Sequence, residues 1–298
     1  MAGSTIISEV CGGGGGKGKG RGGEKEKGSF APRVLFLAPE AEAPEGVPKA
    51  ELTLRAPAEV LAKLAGLATT SQGATSLSAV AVVDLPAEAE FSSISISSFS
   101  SSSAPSKEGK DKAEKIPPLR RLLALDGVQD PGNVGTLIRT ALALGWDGLY
   151  CLPGTADPWG DKSVRAARGA AWRLPVRGNK SGSSWGELLE VAKGAGLDFL
   201  VAEPREEEEE EEEESGRAPS SRRGVCLVLG SEGSGLSAEG RAALASLKND
   251  SFLAGVSAVS IPMAGEMESL NVATAGAVLM FALSEGAGEF VRGLERKL

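Results

Sequence analysis

The chain has 298 residues, room for about two domains by the usual length prior, with 41% apolar content and a formal charge of -8. Histidine is absent, which excludes Ser-His-Asp and Cys-His nucleophilic catalysis and every histidine-ligated metal site. Cys11, Cys151 and Cys226 are odd in number and far apart, so neither a disulfide framework nor a zinc cluster is expected, and no metal is.

In chain order, residues 1–30 form a low-complexity stretch containing the glycine run Gly12–Gly16, and this composition predicts a flexible N-terminus. It has no secretory apolar core. It is compatible with an organelle-targeting extension for a plastid or mitochondrion, and the compartment of this soluble, intracellular-type chain stays open. Residues 31–90 read as a small, partial α/β domain, with apolar runs at Val34–Ala38 and Ala79–Val83 and a helical stretch around Ala58–Leu67. Residues 91–117 are rich in serine, then lysine, and read as a linker.

From residue 118 to 298 short apolar runs alternate with helical periodicity. Strands are predicted at Arg121–Leu125, Gly148–Leu152, Trp172–Pro175, Asp198–Ala202, Val225–Leu229 and Ala258–Ile261. Val134, Leu137, Ile138 and Ala141 fall at i, i+3, i+4 and i+7, one stripe of a helix, with Gly145 as its stop. Ser184 and Glu187 make a capping box before Trp185, Leu188, Leu189 and Ala192. The alternation predicts an α/β fold, a mostly parallel sheet with helices on both faces, whose ligands sit beyond the carboxyl ends of the strands. Cys151 and Cys226, each inside an apolar run, are expected as small buried hydrophobes. No apolar stretch is long enough to span a bilayer, and Leu270–Leu283 reads as a buried helix, so no membrane partner is expected.

The unbroken run Glu206–Glu214 alone outweighs the whole net charge, and it reads as part of a solvated loop insertion at 205–223. The remainder is near neutral, with a cationic excess over Arg120–Arg177. Lys162, Arg165 and Arg168 form a basic cluster, which reads equally as ordinary surface cations or as candidate contacts to the phosphates of a nucleic acid.

Three segments carry chemistry. In Leu125–Ala141 (LDGVQDPGNVGTLIRTA) a strand ends in a Pro-Gly turn, and Asn133 stands where a helix N-cap is wanted. Gly135 permits a close backbone approach, and Arg139 projects from the early helix. Taken alone, this equally describes a capped helix with a surface arginine. In Leu227–Leu236 (LVLGSEGSGL) a buried strand runs into glycines flanking Glu232, where main chain is free to meet a flat ligand. Neither a Walker lysine nor a dinucleotide fingerprint accompanies it, which argues against a phosphate loop or a nucleotide-binding oxidoreductase. In Ile261–Ala275 (IPMAGEMESLNVATA) Ser269 is a natural N-cap, and Asn271 begins a helix built for burial, where an amide requires partners.

Together, in this order, the three segments resemble the signature motifs of the SpoU (TrmH-like) family of SPOUT RNA methyltransferases, over roughly Leu119–Leu283. Ser71-Gln72-Gly73 followed by Ala79–Val83 resembles, more faintly, the end of that family's N-terminal RNA-binding domain, here shortened. The resemblance implies a C-terminal deep trefoil knot, a homodimer, and transfer of a methyl from S-adenosylmethionine to a ribose 2′-hydroxyl of tRNA or rRNA. It implies backbone contacts to the cofactor at Gly230, Ile261 and Leu270, with Met263 nearby. Arg139 is implied to help activate the hydroxyl together with a substrate phosphate, while Asn133, Glu232, Ser269 and Asn271 orient the arginine, the nucleotide and the loops. A knotted RNA-binding or ribosome-assembly factor without turnover is the alternative. One departure from the family is an apparent insertion at Asn249–Gly255.

Overall fold

The computed structural model of the protein describes residues 30–65, 77–91, 118–178, 183–203, 224–247, 255–264 and 269–284, with Ile7, Val10 and Cys11. The glycine run 12–16, Ser71–Gly73, residues 92–117 of the linker, the acidic insertion 205–223 and positions 249–254 lie outside the described residues. Ile7, Val10 and Cys11 are helical and buried in the main core, at i, i+3 and i+4. These three positions therefore depart from the flexible reading of residues 1–30.

The first unit is a three-stranded sheet of β1 (Val34–Leu37), β2 (Leu52–Arg55) and β3 (Ala79–Val82), in the order β2-β1-β3. β1 is parallel to β2 and antiparallel to β3. Helix α1 (Ala58–Leu64) sits between β2 and β3 in the chain. Strand β2 escaped the apolar pattern because it lies at the sheet edge, with all four of its residues exposed. The opposite alternation in β1 buries Leu35 and Leu37 in the same cluster as the second unit's core.

The second unit is a six-stranded sheet of β4 (Arg121–Leu125), β5 (Gly148–Cys151), β6 (Val176–Arg177), β7 (Leu197–Ala202), β8 (Gly224–Leu229) and β9 (Val256–Val259). Its order is β6-β5-β4-β8-β7-β9, and every adjacent pair is parallel. All five residues of β4 except Arg121 are buried, as expected of a central strand covered on both faces.

On one face lie α2 (Pro131–Ala143), α3 (Asp161–Ala167) and α6 (Val272–Ala282). The stripe Val134, Leu137, Ile138 and Ala141 is wholly buried there. Each of its larger members contributes roughly 1.5–3 kcal/mol by leaving water. Gly135 is the contact between α2 and α3, since a Cβ there would stand 2.2 Å from the carbonyl oxygen of Ser163. The other face carries α4 (Trp185–Ala195) and α5 (Ala238–Leu247), whose Trp185, Leu188, Val191, Leu244 and Leu247 cover the sheet. Ser184 caps α4 by accepting from the Glu187 N–H at 3.2 Å. The Glu187 carboxylate turns to Arg177 instead of completing the box.

Residues Trp172–Pro175 are not the expected strand. A 3-10 turn occupies Ala170–Trp172, closed by the N–H groups of Arg173 and Leu174 donating to the Ala170 carbonyl. The sheet resumes only after Pro175, at β6. β9 likewise lies two residues earlier than the predicted Ala258–Ile261.

Residues 84–91 run as a strap from the first sheet along the β6 edge of the second. Trp172 Nε1 donates to the Asp84 carbonyl at 3.2 Å, and the Ala89 N–H donates to the Val176 carbonyl at 3.0 Å. The Arg177 guanidinium meets Glu88 at 3.0 Å and Glu187 at 3.1 Å, and Phe91 is buried over Gly148.

Candidate active site

The strand order reverses between β4 and β8, which places a crevice beyond their carboxyl ends. A cleft of about 240 Å³ occupies that crevice, walled by Gly127–Asp130 and Asn133 after β4, Ser231 and Glu232 after β8, and Val272 at the start of α6. The three sequence segments meet here.

Their junction is one carboxylate oxygen. Glu232 Oε1 accepts from Asn133 Nδ2 at 3.0 Å, from Asn271 Nδ2 at 2.9 Å and from the Val272 N–H at 3.1 Å. Asn271 Nδ2 also reaches Asn133 Oδ1 at 3.2 Å, closing a triangle of side chains. Bonds to an ionised acceptor are stronger than neutral ones, so this knot of contacts fixes the loops relative to one another.

Local sequence explains why each side chain is held so. Asp130, not Asn133, is the N-cap of α2. It precedes Pro131, which suits the first helical position, and its Oδ1 accepts from the Asn133 N–H at 2.9 Å. That frees the Asn133 amide for the cleft. Asn271, not Ser269, caps α6, with Oδ1 accepting from the Ala273 and Thr274 N–H groups at 3.0 and 3.3 Å. Asn271 is exposed, not buried as the apolar helix suggested, and its amide is partnered by the cap on one side and by Glu232 on the other.

Glu232 stands on a tight loop in which Ser231 and Gly235 exchange backbone bonds at 2.9 and 3.0 Å. A Cβ on Gly230 would lie 2.4 Å from the Gly235 carbonyl carbon, so the chain itself occupies the room that glycine leaves.

Of the remaining predicted residues, Gly230 abuts the cleft wall at Ser231, while Leu270 leads into Asn271. Leu270 and Met263 are apolar yet 37% and 39% exposed, and Ile261 is half-buried against the core. None of these four, and not Ser269, lines the cleft. Arg139 is exposed on α2, six residues past Asn133. That separation is about 9 Å along a helix axis and about a third of a turn round, and Arg139 is outside the cleft lining.

Lys162 is exposed on α3. Arg165 pairs with Asp161 one turn back, which offsets part of its charge, and Arg168 ends the helix in the left-handed region at φ 51°. No cluster of metal-ligating side chains occurs among the described residues. No helix among them is long and apolar enough to cross a membrane.

Sequence reasoning passed over Asp126. Its carboxylate is 1% exposed and accepts from the Ser237 N–H at 2.7 Å, while its own N–H donates to the Leu229 carbonyl at 2.9 Å. It therefore ties the loop after β4 to the far end of the loop after β8. An acid following an apolar strand, with a ligand loop beyond it, was the available signal.

Residues 120–281 match the SpoU rRNA Methylase family. The chain belongs to this SpoU family. Among its relatives, the 23S rRNA (guanosine(2553)-2′-O)-methyltransferase RlmP of Bacillus subtilis is 36% identical over 171 residues, 57% of this chain and 60% of that protein. The 23S rRNA (uridine(2479)-2′-O)-methyltransferase of Streptomyces viridochromogenes is 29% identical over 173 residues, 57% of this chain and 55% of that one. The chain thus spans little more than half the length of these SpoU relatives. The solved SpoU methyltransferase AviRb from Streptomyces viridochromogenes, in complex with AdoMet, superposes with a TM-score of 0.61 at 21% identity, covering 98% of this chain and 89% of that one. This likeness covers the small first sheet as well as the SpoU domain.

Proposed function

We propose that the protein is an RNA 2′-O-ribose methyltransferase that uses S-adenosylmethionine and acts on ribosomal RNA. The observation that carries this reading is the convergence of all three motif segments on Glu232 Oε1 at the switch point of the sheet. The names of two SpoU relatives that act on 23S rRNA support the reading of ribosomal over transfer RNA.

The residues present fit the methyl donor. Apolar Ile261, Met263 and Leu270 lie partly exposed on the segment leading to α6, whose first residue Val272 lines the cleft, and apolar surface of this kind suits an adenosine. Those residues with Gly230 would hold the donor. Bound S-adenosylmethionine supplies a methyl activated on a sulfonium.

The chain's own work is to align the ribose hydroxyl and manage its proton. A guanidinium is always charged and takes no proton at neutral pH. Arg139 therefore grips a substrate phosphate through paired hydrogen bonds and stabilises the developing oxyanion. The hydroxyl proton passes to that phosphate and then to water. Asn133 and Asn271, locked by Glu232, orient the nucleotide.

We place the site at a homodimer interface, where exposed Arg139 completes the cleft; the apolar exposure of Val278 on α6 supports such an interface. We assign the C-terminal knot to the return from β9, at the sheet edge, to α6. Gly276 of α6 packs on Leu137 and Leu229 at the sheet centre, a crossing that supports threading. The domain of residues 31–90 is assigned to RNA docking, with Lys162, Arg165 and Arg168 as phosphate contacts.

The test is methyl transfer from labelled S-adenosylmethionine to undermodified ribosomal RNA and, in parallel, to bulk tRNA, with the 2′-O-methyl site mapped by resistance to alkaline cleavage. Label in ribosomal RNA at one ribose is expected. Donor binding with no transfer to either RNA would instead favour a non-catalytic binding factor.

A further inference from the structure

A second cavity of about 280 Å³ lies away from the cleft, between the strap and the 3-10 turn. Pro86, Ala87 and Ala89 form one side, and Trp159 with residues 171–176 forms the other. We propose that this cavity is a nucleobase subsite, taking a base of the RNA strand that neighbours the nucleotide in the cleft. The inference rests on the reading of the chain as an RNA methyltransferase and adds to it where the strand runs.

Trp159 is the platform. It packs edge-to-face on Trp172, with ring centroids 5.5 Å apart and planes at 78°. Trp172 is itself buried, and its indole N–H is committed to the Asp84 carbonyl, so the pair is held from below. Of the four tryptophans, Trp146, Trp172 and Trp185 are buried and only Trp159 is partly exposed. A large, partly exposed aromatic that lines a cavity with proline and alanine offers a surface that demands no hydrogen bonds. Every base has a π-face that suits such a surface, and unpaired RNA bases are commonly bound this way.

Charge points to the same ligand. Between Asp157 and Arg173 stand Lys162, Arg165, Arg168 and Arg173 against Asp157 and Asp161, while Glu88 of the strap is paired with Arg177. Arg173 is exposed at the cavity itself, where a phosphate flanking the stacked base would lie.

The cleft and the cavity share one loop. The Ala156 N–H donates to the carbonyl of Val128, a cleft residue, at 2.9 Å. Trp159 follows three residues later, within about 11 Å of Ala156 by chain length alone. Its N–H is fixed by Asp157 Oδ1 at 3.0 Å.

The experiment is tryptophan emission of the full chain, without methyl donor, titrated with single-stranded hexaadenylate and with an abasic ribose-phosphate hexamer of equal charge. Anisotropy of labelled oligomers reads affinity in parallel. Hexaadenylate is expected to quench emission and the abasic oligomer to leave it unchanged. Trp159→Phe should remove about half of the quenching or more, leaving only the share of Trp172, which lines the same cavity, and keep affinity within about twofold, since phenylalanine still stacks. Trp159→Ala should weaken hexaadenylate by about fivefold or more while sparing the abasic oligomer. Undiminished quenching in Trp159→Phe, or equal binding of the two oligomers, would overturn the subsite; the phenylalanine variant decides the matter even if the alanine variant fails to fold. Base-dependent quenching with no methyl transfer would instead leave the subsite standing and sink the enzymatic reading.

Discussion

Asn271 donates its side-chain amide to Glu232 at 2.9 Å, and the two residues are 39 positions apart in the chain. The same carboxylate oxygen also holds Asn133, 99 positions away. The geometry of the cleft therefore depends on one acceptor that three N–H groups share.

Glu232→Gln retains a carbonyl oxygen that accepts but loses its charge. It is expected to lower methyl transfer by about tenfold, because hydrogen bonds to ionised groups are about twice as strong as neutral ones. Glu232→Ala strands both amides and should lower it by about a hundredfold or more, with unfolding in urea separating this loss from global destabilisation. Equal activity of the two variants would contradict the shared-acceptor role.

Arg139→Ala is expected to abolish methyl transfer while donor affinity, read by calorimetry, stays within a few fold. Arg139→Lys should rescue poorly, since an ammonium lacks the planar fork that grips a phosphate. Wild-type turnover in either variant would remove Arg139 from the chemistry.

Asp126→Ala removes the charged acceptor of a half-buried bond from the Ser237 N–H, a loss of about 1–3 kcal/mol. Asp126→Asn keeps an acceptor oxygen and should recover most of the stability. Denaturant midpoints distinguish the two, and identical midpoints would refute the tie between the loops.

Gly135→Ala places a methyl 2.2 Å from the Ser163 carbonyl oxygen and 2.7 Å from the Ala166 Cβ. Backbone cannot yield as a side-chain tip does, so overpacking should cost about 1–3 kcal/mol and lower the melting temperature by several degrees. An unchanged melting curve would mean that α3 shifts freely.

Burial pushes the Cys11 thiol up to about 11 and raises Cys151 and Cys226 further, with desolvation the largest cause in each. A thiol kept neutral by the fold contributes stability that is fully present below its ordinary value of about 9. That contribution is lost as pH rises through the folded value, because only the unfolded chain ionises early. Stability should therefore fall progressively above about pH 9, and the native thiols should react slowly with Ellman's reagent until denaturant is added. Rapid reaction of all three in the native state would contradict their burial.

Much of this fold was legible because its core elements obey one rule each. Buried strands β4 and β8 are continuous apolar runs after their first residue, and α2 keeps its stripe at helical spacing. The segment Trp172–Pro175 misled because Trp172 and Leu174 are both buried at alternate positions, as in a strand, while a turn holds them there. The caps were misplaced by two or three residues, since several polar residues compete near each helix start and only three-dimensional partners choose among them. Asn133 and Asn271 lost or gained cap roles for that reason, and their contact with Glu232 is a long-range fact that no local pattern encodes.

That long reach has a consequence for biosynthesis. The bond from Asn271 to Asn133 closes a span of 138 residues. Contacts so distant in sequence form late in folding, after the ordering entropy of the intervening chain has been met. A nascent chain leaving the ribosome carries β4 and β8 well before α6 has emerged, so a prematurely terminated product has no completed pocket with which to sequester substrate.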